Sequence, residues 1–176
     1  MFSFTMGHMI DFIALFIIYL LVFLPKWKQE KRYTLLIRTV MYVYLSFVLF
    51  FTMMPIITSI PFIFNHPYAF NLIPFVDYVN GRGDFMRQII LNVIMTIPFG
   101  LLFPMTQKKA GRTLVGSTFA TFLFSLLIEI LQPLINGFRT FDVTDLITNT
   151  IGGVIGYCCF MIIRPIIEHI ERREHE

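Results

Sequence analysis

Five apolar runs, separated by charged or proline-rich segments, set the pattern of this chain. They cover roughly residues 9–24, 34–54, 85–103, 113–135 and 145–163. A hydrocarbon core about 30 Å thick needs about 20 mostly apolar residues in helix. Four runs meet that length directly, and the first meets it once residues before Met9 join it. Lipid offers no partner to an unpaired backbone N–H or C=O, so each run is predicted to be helical. The expected fold class is therefore all-α, a polytopic membrane bundle of about five transmembrane helices, with residues 1–176 forming one domain.

Composition agrees. Of 176 residues 56% are hydrophobic and 14% charged, and the mean hydropathy is +0.73. A soluble domain is about 25% charged and could not bury this much apolar surface without lipid. Lysine and arginine then orient the bundle. Lys26, Lys28, Lys31 and Arg32 separate the first two runs. Lys108, Lys109 and Arg112 separate the third and fourth, and Arg164, Arg172 and Arg173 follow the fifth. The other end keeps only Arg82, Arg87 and Arg139. This asymmetry predicts an amino terminus outside and a carboxyl terminus in the cytoplasm. The amino terminus has no basic stretch and no small-x-small site after its apolar run, so the first span is expected to be retained. Cys158 and Cys159 are adjacent inside an apolar run and read as small packing residues. Nothing in the composition points to a nucleic-acid partner; the expected partner is the bilayer itself.

The segment from about Pro55 to Asp84 breaks the helical rhythm. It carries Pro55, Pro61, Pro67, Pro74, Gly81 and Gly83, which exclude a continuous helix. It is also aromatic, with Phe62, Phe64, Tyr68, Phe70, Phe75 and Tyr78. Such a segment is expected along the outer interface, where aromatic rings settle, either as an anchor or as a lid over a lipid-facing pocket.

Polar residues inside the spans are the candidate chemistry. Gln88, Asn92, Thr96 and Gly100 recur every four residues on one face of the third span, while Arg87 falls on another face. Pro98 removes one backbone bond there. Ser125, Glu129 and Gln132 form one stripe near the outer end of the fourth span, with Pro133 expected to bend or end that helix. A carboxylate at that depth is costly and must face protein or water, and such residues are functional candidates by default. The stretch "GFRTFDVTDLITNTIGG" supplies Arg139 as a partner for it. Asp142 and Asp145 suit the positive end of the next helix, one of them as its cap. Asp145, Asn149, Gly152 and Gly156 share a face of the fifth span, and the glycines permit close helix packing. Asn92, Ser125, Glu129, Gln132, Arg139, Asp142, Asp145 and Asn149 are thus expected to converge on one outer ligand site. Three carboxylates there suit a cation, a proton or a cationic ligand group. Glu129, Asp142 and Asp145 are the candidates for acid/base catalysis or for holding a hard metal, and the residues alone do not choose between these. No metalloprotease, nucleophile-elbow or phosphate-loop motif occurs. Ser125 lacks a base other than Glu129, and His66 is the one histidine expected near the outer site.

In order along the chain, "NLIPF" (Asn71 to Phe75), "NVIMTIPFG" (Asn92 to Gly100), "SLLIEILQ" (Ser125 to Gln132) and "RTFDVTDLITNTIGG" (Arg139 to Gly153) resemble the VanZ-like family of small bacterial membrane proteins. The resemblance covers about half the chain, with its core between residues 71 and 156. It implies a multi-pass protein of the bacterial cell membrane. The family's namesake is associated with low-level resistance to the lipoglycopeptide teicoplanin, without the wall-remodelling enzymes of vancomycin resistance. The resemblance therefore implies a link to glycopeptide tolerance or cell-wall lipid chemistry. Three functions are expected in order of preference: an outer pocket for a lipid-tailed amphiphile such as a lipoglycopeptide or lipid-linked wall precursor, an enzyme acting on an envelope lipid or glycan, and a proton-coupled transporter. No cofactor is assigned.

Overall fold

A computed structural model describes residues 5–63, 68–81, 83–135 and 139–173. His66, Phe64, Pro67 and Arg82, named above, lie outside the described residues. Five helices long and apolar enough to cross a bilayer span Met6–Trp27, Arg32–Phe62, Phe85–Thr106, Leu114–Ile135 and Val143–Arg173. The first is α1 (Met6–Ile18) continued by a π-helical turn (Tyr19–Phe23) and α2 (Leu24–Trp27). It thus includes residues before Met9, which supply the missing length. The second comprises α3 (Arg32–Thr52) and a 3₁₀ turn (Ile57–Phe62). A short α4 (Val76–Val79) precedes α5 (Phe85–Thr106), α6 (Leu114–Ile135) and α7 (Val143–Arg173). α6 includes Pro133 and runs to Ile135, the last described residue before the outer connector.

α5 and α7 form the tightest pair, and glycine is the reason. A Cβ on Gly100 would collide with the Gly153 carbonyl, and one on Gly156 with the Ile97 carbonyl. The bare backbones can therefore touch, where van der Waals packing drives association in lipid. Thr96 Oγ1 donates to the Asn149 carbonyl across this contact at 2.7 Å. α6 packs on the other side of α7, with Thr121 against Gly153. Phe99 stacks on Phe124 at 4.5 Å, joining α5 to α6. At one end of the bundle Tyr157, Phe160 and Ile167 are buried against Leu101 and Met105.

α3 leans on α5 through the Tyr44 hydroxyl, which donates to the Met95 carbonyl at 2.8 Å. α1 packs on α3: the Tyr42 hydroxyl donates to the Leu15 carbonyl at 2.7 Å. Asp11 of α1, buried, accepts from the backbone N–H groups of Ile56 and Ile57 at 2.5 and 3.0 Å. It caps the 3₁₀ turn from another helix.

The aromatic connector crosses the end of the bundle opposite the lysine-rich loops. Phe70–Asn71 (β1) pairs in parallel with Phe141–Asp142 (β2), a two-residue ladder not foreseen in an all-α chain. Tyr68 donates to the Ile130 carbonyl at 2.6 Å, and the Phe75 N–H to Thr144 Oγ1 at 2.9 Å. Burial raises the Tyr68 phenol above its ordinary pKa and the Glu129 carboxylate adds to this, so the hydroxyl remains a donor. Phe70, Leu72, Ile73, Tyr78 and Val79 keep their apolar surface outward.

Candidate ligand-binding cleft

The connector and α7 meet at Asp142. This residue caps α7: its Oδ1 accepts from the Thr144 N–H at 2.7 Å, and its Oδ2 from Asn71 Nδ2 at 2.8 Å. Its own N–H donates to Glu129 Oε2 at 3.1 Å. Glu129 lies on the inner face of α6 and is 2% exposed. The expected partner, Arg139, is exposed and forms no ion pair among the described residues. Glu129 is instead hydrogen-bonded by the backbone of β2, while Arg139 lines the same cleft beyond ion-pair distance.

Next to Glu129 a cleft of about 520 Å³ runs between α3, α5, α6 and α7. Its polar end is lined by Arg87, Gln88, Asn92, Glu129, Gln132, Arg139, Asp145 and Asn149. Six of the eight expected site residues thus share one chamber. The other two stand just behind it. Ser125 accepts from Asn149 Nδ2 at 2.9 Å, and Asp142 lines a smaller recess beside Asp145 and Gln88. Arg87, expected on another face from Gln88 and Asn92, joins the cleft because it shares a face with Leu91, Ile94 and Pro98, which line it too. Gln88 Nε2 donates to both carboxylate oxygens of Asp145, at 3.3 and 3.2 Å. Gln132 Nε2 donates to the Thr52 carbonyl at 3.2 Å and anchors the end of α3.

The rest of the cleft is apolar. Tyr44, Phe47, Val48 and Phe51 of α3 face Leu91, Ile94, Met95 and Pro98 of α5. Phe47, Phe51, Leu91 and Ile94 are also among the residues exposed on the outside of the bundle. The cleft therefore opens sideways between α3 and α5. From Thr52 to Tyr44 it descends about 12 Å at 1.5 Å per residue.

Among the described residues one buried polar atom beside the polar end is clearly unmet: Asn149 Oδ1 lacks a donor. Asn92 directs its amide at the Asp145 carboxylate, short of a well-aligned bond. Turning the Asn149 amide would let its oxygen meet Ser125 but leave its nitrogen unmet. Asn149 is 1% exposed, and an unmet buried polar group costs about 1–3 kcal/mol. Among the described residues no three histidine, cysteine or acidic side chains are close enough to share a metal ion.

The architecture defines a multi-pass helical membrane protein with an amphipathic cleft, polar at one end and open to lipid along its side. The sequence matches the VanZ/LLP1 family over residues 12–164, and the chain belongs to that family. It is 40% identical over 88 residues to Protein VanZ of Enterococcus faecium, a match that covers 50% of each chain. The chain thus spans about half the length of this curated relative. No solved structure matches.

Proposed function

We propose that the cleft binds a lipid-tailed amphiphile, its polar head against Glu129, Asp145, Arg139 and the asparagines and its tail between α3 and α5. The observation that carries this is one chamber with a long apolar wall on the outside of the bundle and, at its polar end, carboxylate, guanidinium and amide side chains gathered together. A volume of about 520 Å³ lies within the range of about 300–1,000 Å³ typical of ligand clefts. The carboxylates favour a head with cationic or hydrogen-donating groups, and Arg87 and Arg139 an acidic group beside them.

Family membership supports lipoglycopeptides of the teicoplanin type, or lipid-linked wall precursors, as the amphiphile. On this reading the protein sits in the bacterial cell membrane as a single domain with its cleft end outward. Purified protein should bind an acylated glycopeptide and ignore its deacylated form. Glu129→Gln, expressed to the same level, should abolish that binding and any glycopeptide tolerance conferred on a sensitive host. Undiminished binding and tolerance would sink the proposal.

A second reading rests on Glu129 and Asp145 lining the same chamber, where one acid and one base could act on an envelope lipid. Turnover of such a lipid, lost in Asp145→Asn, would identify an enzyme; a carboxylate that instead carries protons would make uptake into proteoliposomes follow a pH gradient.

A further inference from the structure

At the opposite end of the bundle a second cleft of about 420 Å³ is walled by Lys31, Arg38, Lys108, Lys109, Arg112 and Arg172. Two carboxylates, Glu30 and Glu171, share its wall. Both are already committed. Glu30 accepts from Arg38 at 3.1 Å, and Glu171 takes both terminal nitrogens of Arg112, one at 3.2 Å. Glu168 nearby is held by Arg164 at 2.7 Å. Among the described residues Lys108, Lys109 and Arg172 form no ion pair.

Lysines that only set topology need no more than a place in the loop. Here they converge from three separate places: the turn before α3, the segment after α5 and the end of α7. One wall is built rather than draped. Arg112 is 6% exposed, its Nε donates to the Gln107 carbonyl at 3.2 Å, and its own carbonyl accepts from the buried Tyr157 hydroxyl at 3.1 Å. Tyr33, Thr34 and Thr106 add hydroxyls to the same concavity. On the same two helices that carry its walls, Ile162, Ile166 and Ile170 of α7 and Leu36 of α3 present exposed apolar surface.

We propose that this basic cleft binds the phosphate headgroup of an anionic phospholipid from the adjacent leaflet. Juxtamembrane cations attract such lipids, and a concavity that gathers Lys108, Lys109 and Arg172 beside hydroxyl groups, on a wall held by the Arg112–Glu171 pair, converts attraction into a site. This inference is independent of the amphiphile cleft.

The test is native mass spectrometry of the full chain in detergent with added phosphatidylglycerol or phosphatidylcholine. Phosphatidylglycerol should be retained in preference. Lys108→Ala with Lys109→Ala should weaken it roughly thirtyfold, and Arg172→Gln should weaken it severalfold. Lys26→Ala with Lys28→Ala, at the same end but outside the cleft, should leave it unchanged. Equal losses in both double variants, or equal retention of the two lipids, would overturn the site. Displacement of the lipid by millimolar glycerol phosphate, with glycerol phosphate then binding as tightly, would overturn the lipid as its occupant.

Discussion

Glu129 and Asp142 stand side by side, yet their carboxylates have different work. Both oxygens of Asp142 are occupied by Thr144 and Asn71, so this side chain belongs to the scaffold. Asp142→Ala should cost about 1–3 kcal/mol of stability, read as a lower Tm in detergent. Glu129→Gln keeps an amide oxygen for the Asp142 N–H and should cost less than about 1 kcal/mol, so a loss of binding in it reports on charge rather than folding. Asp11→Ala orphans two backbone N–H groups at the start of the 3₁₀ turn and should cost about 2 kcal/mol by the same measurement. The stripe of Ser125, Glu129 and Gln132 was legible from helical spacing alone, because all three share one helix. Asp11 was not, since its partners lie 45 and 46 residues away and begin a turn that carries no hydrophobic period. Nor was the hydrogen bond from the Asp142 N–H to Glu129: proximity in sequence brought Arg139 to the same cleft but says nothing of which backbone group meets the carboxylate.

Among the elements, the α5–α7 contact is the one that glycine makes possible. Gly100→Ala drives a methyl into the Gly153 backbone, which cannot rotate away. Overpacking of this kind costs typically about 1–3 kcal/mol, and more where backbone is the obstacle. Gly111→Ala, whose nearest neighbour is 3.5 Å away, is the matched control and should leave Tm unchanged. All five spans could be read from apolar length because the bilayer sets that length. The β1–β2 ladder could not, as two-residue strands are too short to show an alternation. The connector's aromatic content pointed to an interface; the structure adds that it is stitched to α6 and α7 through Tyr68, Phe75 and the ladder.

For the molecule as a whole, the two clefts sit at opposite ends, and orientation decides which faces the outside. With Cys158 and Cys159 replaced, a single cysteine at Val79 should react with an impermeant maleimide in intact cells, and one at Ala110 only after permeabilisation. The reverse pattern would invert the proposed topology. Leu91→Trp should narrow the mouth of the amphiphile cleft. Facing lipid, it should shift stability by less than about 0.5 kcal/mol. Affinity for an acylated ligand should fall about tenfold, the equivalent of roughly two methylenes lost from contact.

If the cleft binds an amphiphile as proposed, the sideways mouth between Phe47, Phe51, Leu91 and Ile94 decides how it is supplied. An occupant arriving through it comes from hydrocarbon, after dissolving in the membrane. Its relevant abundance is then moles per mole of lipid. Diluting the bilayer with inert phospholipid at fixed aqueous dose should empty the chamber, whereas a water-facing receptor would be indifferent to that dilution.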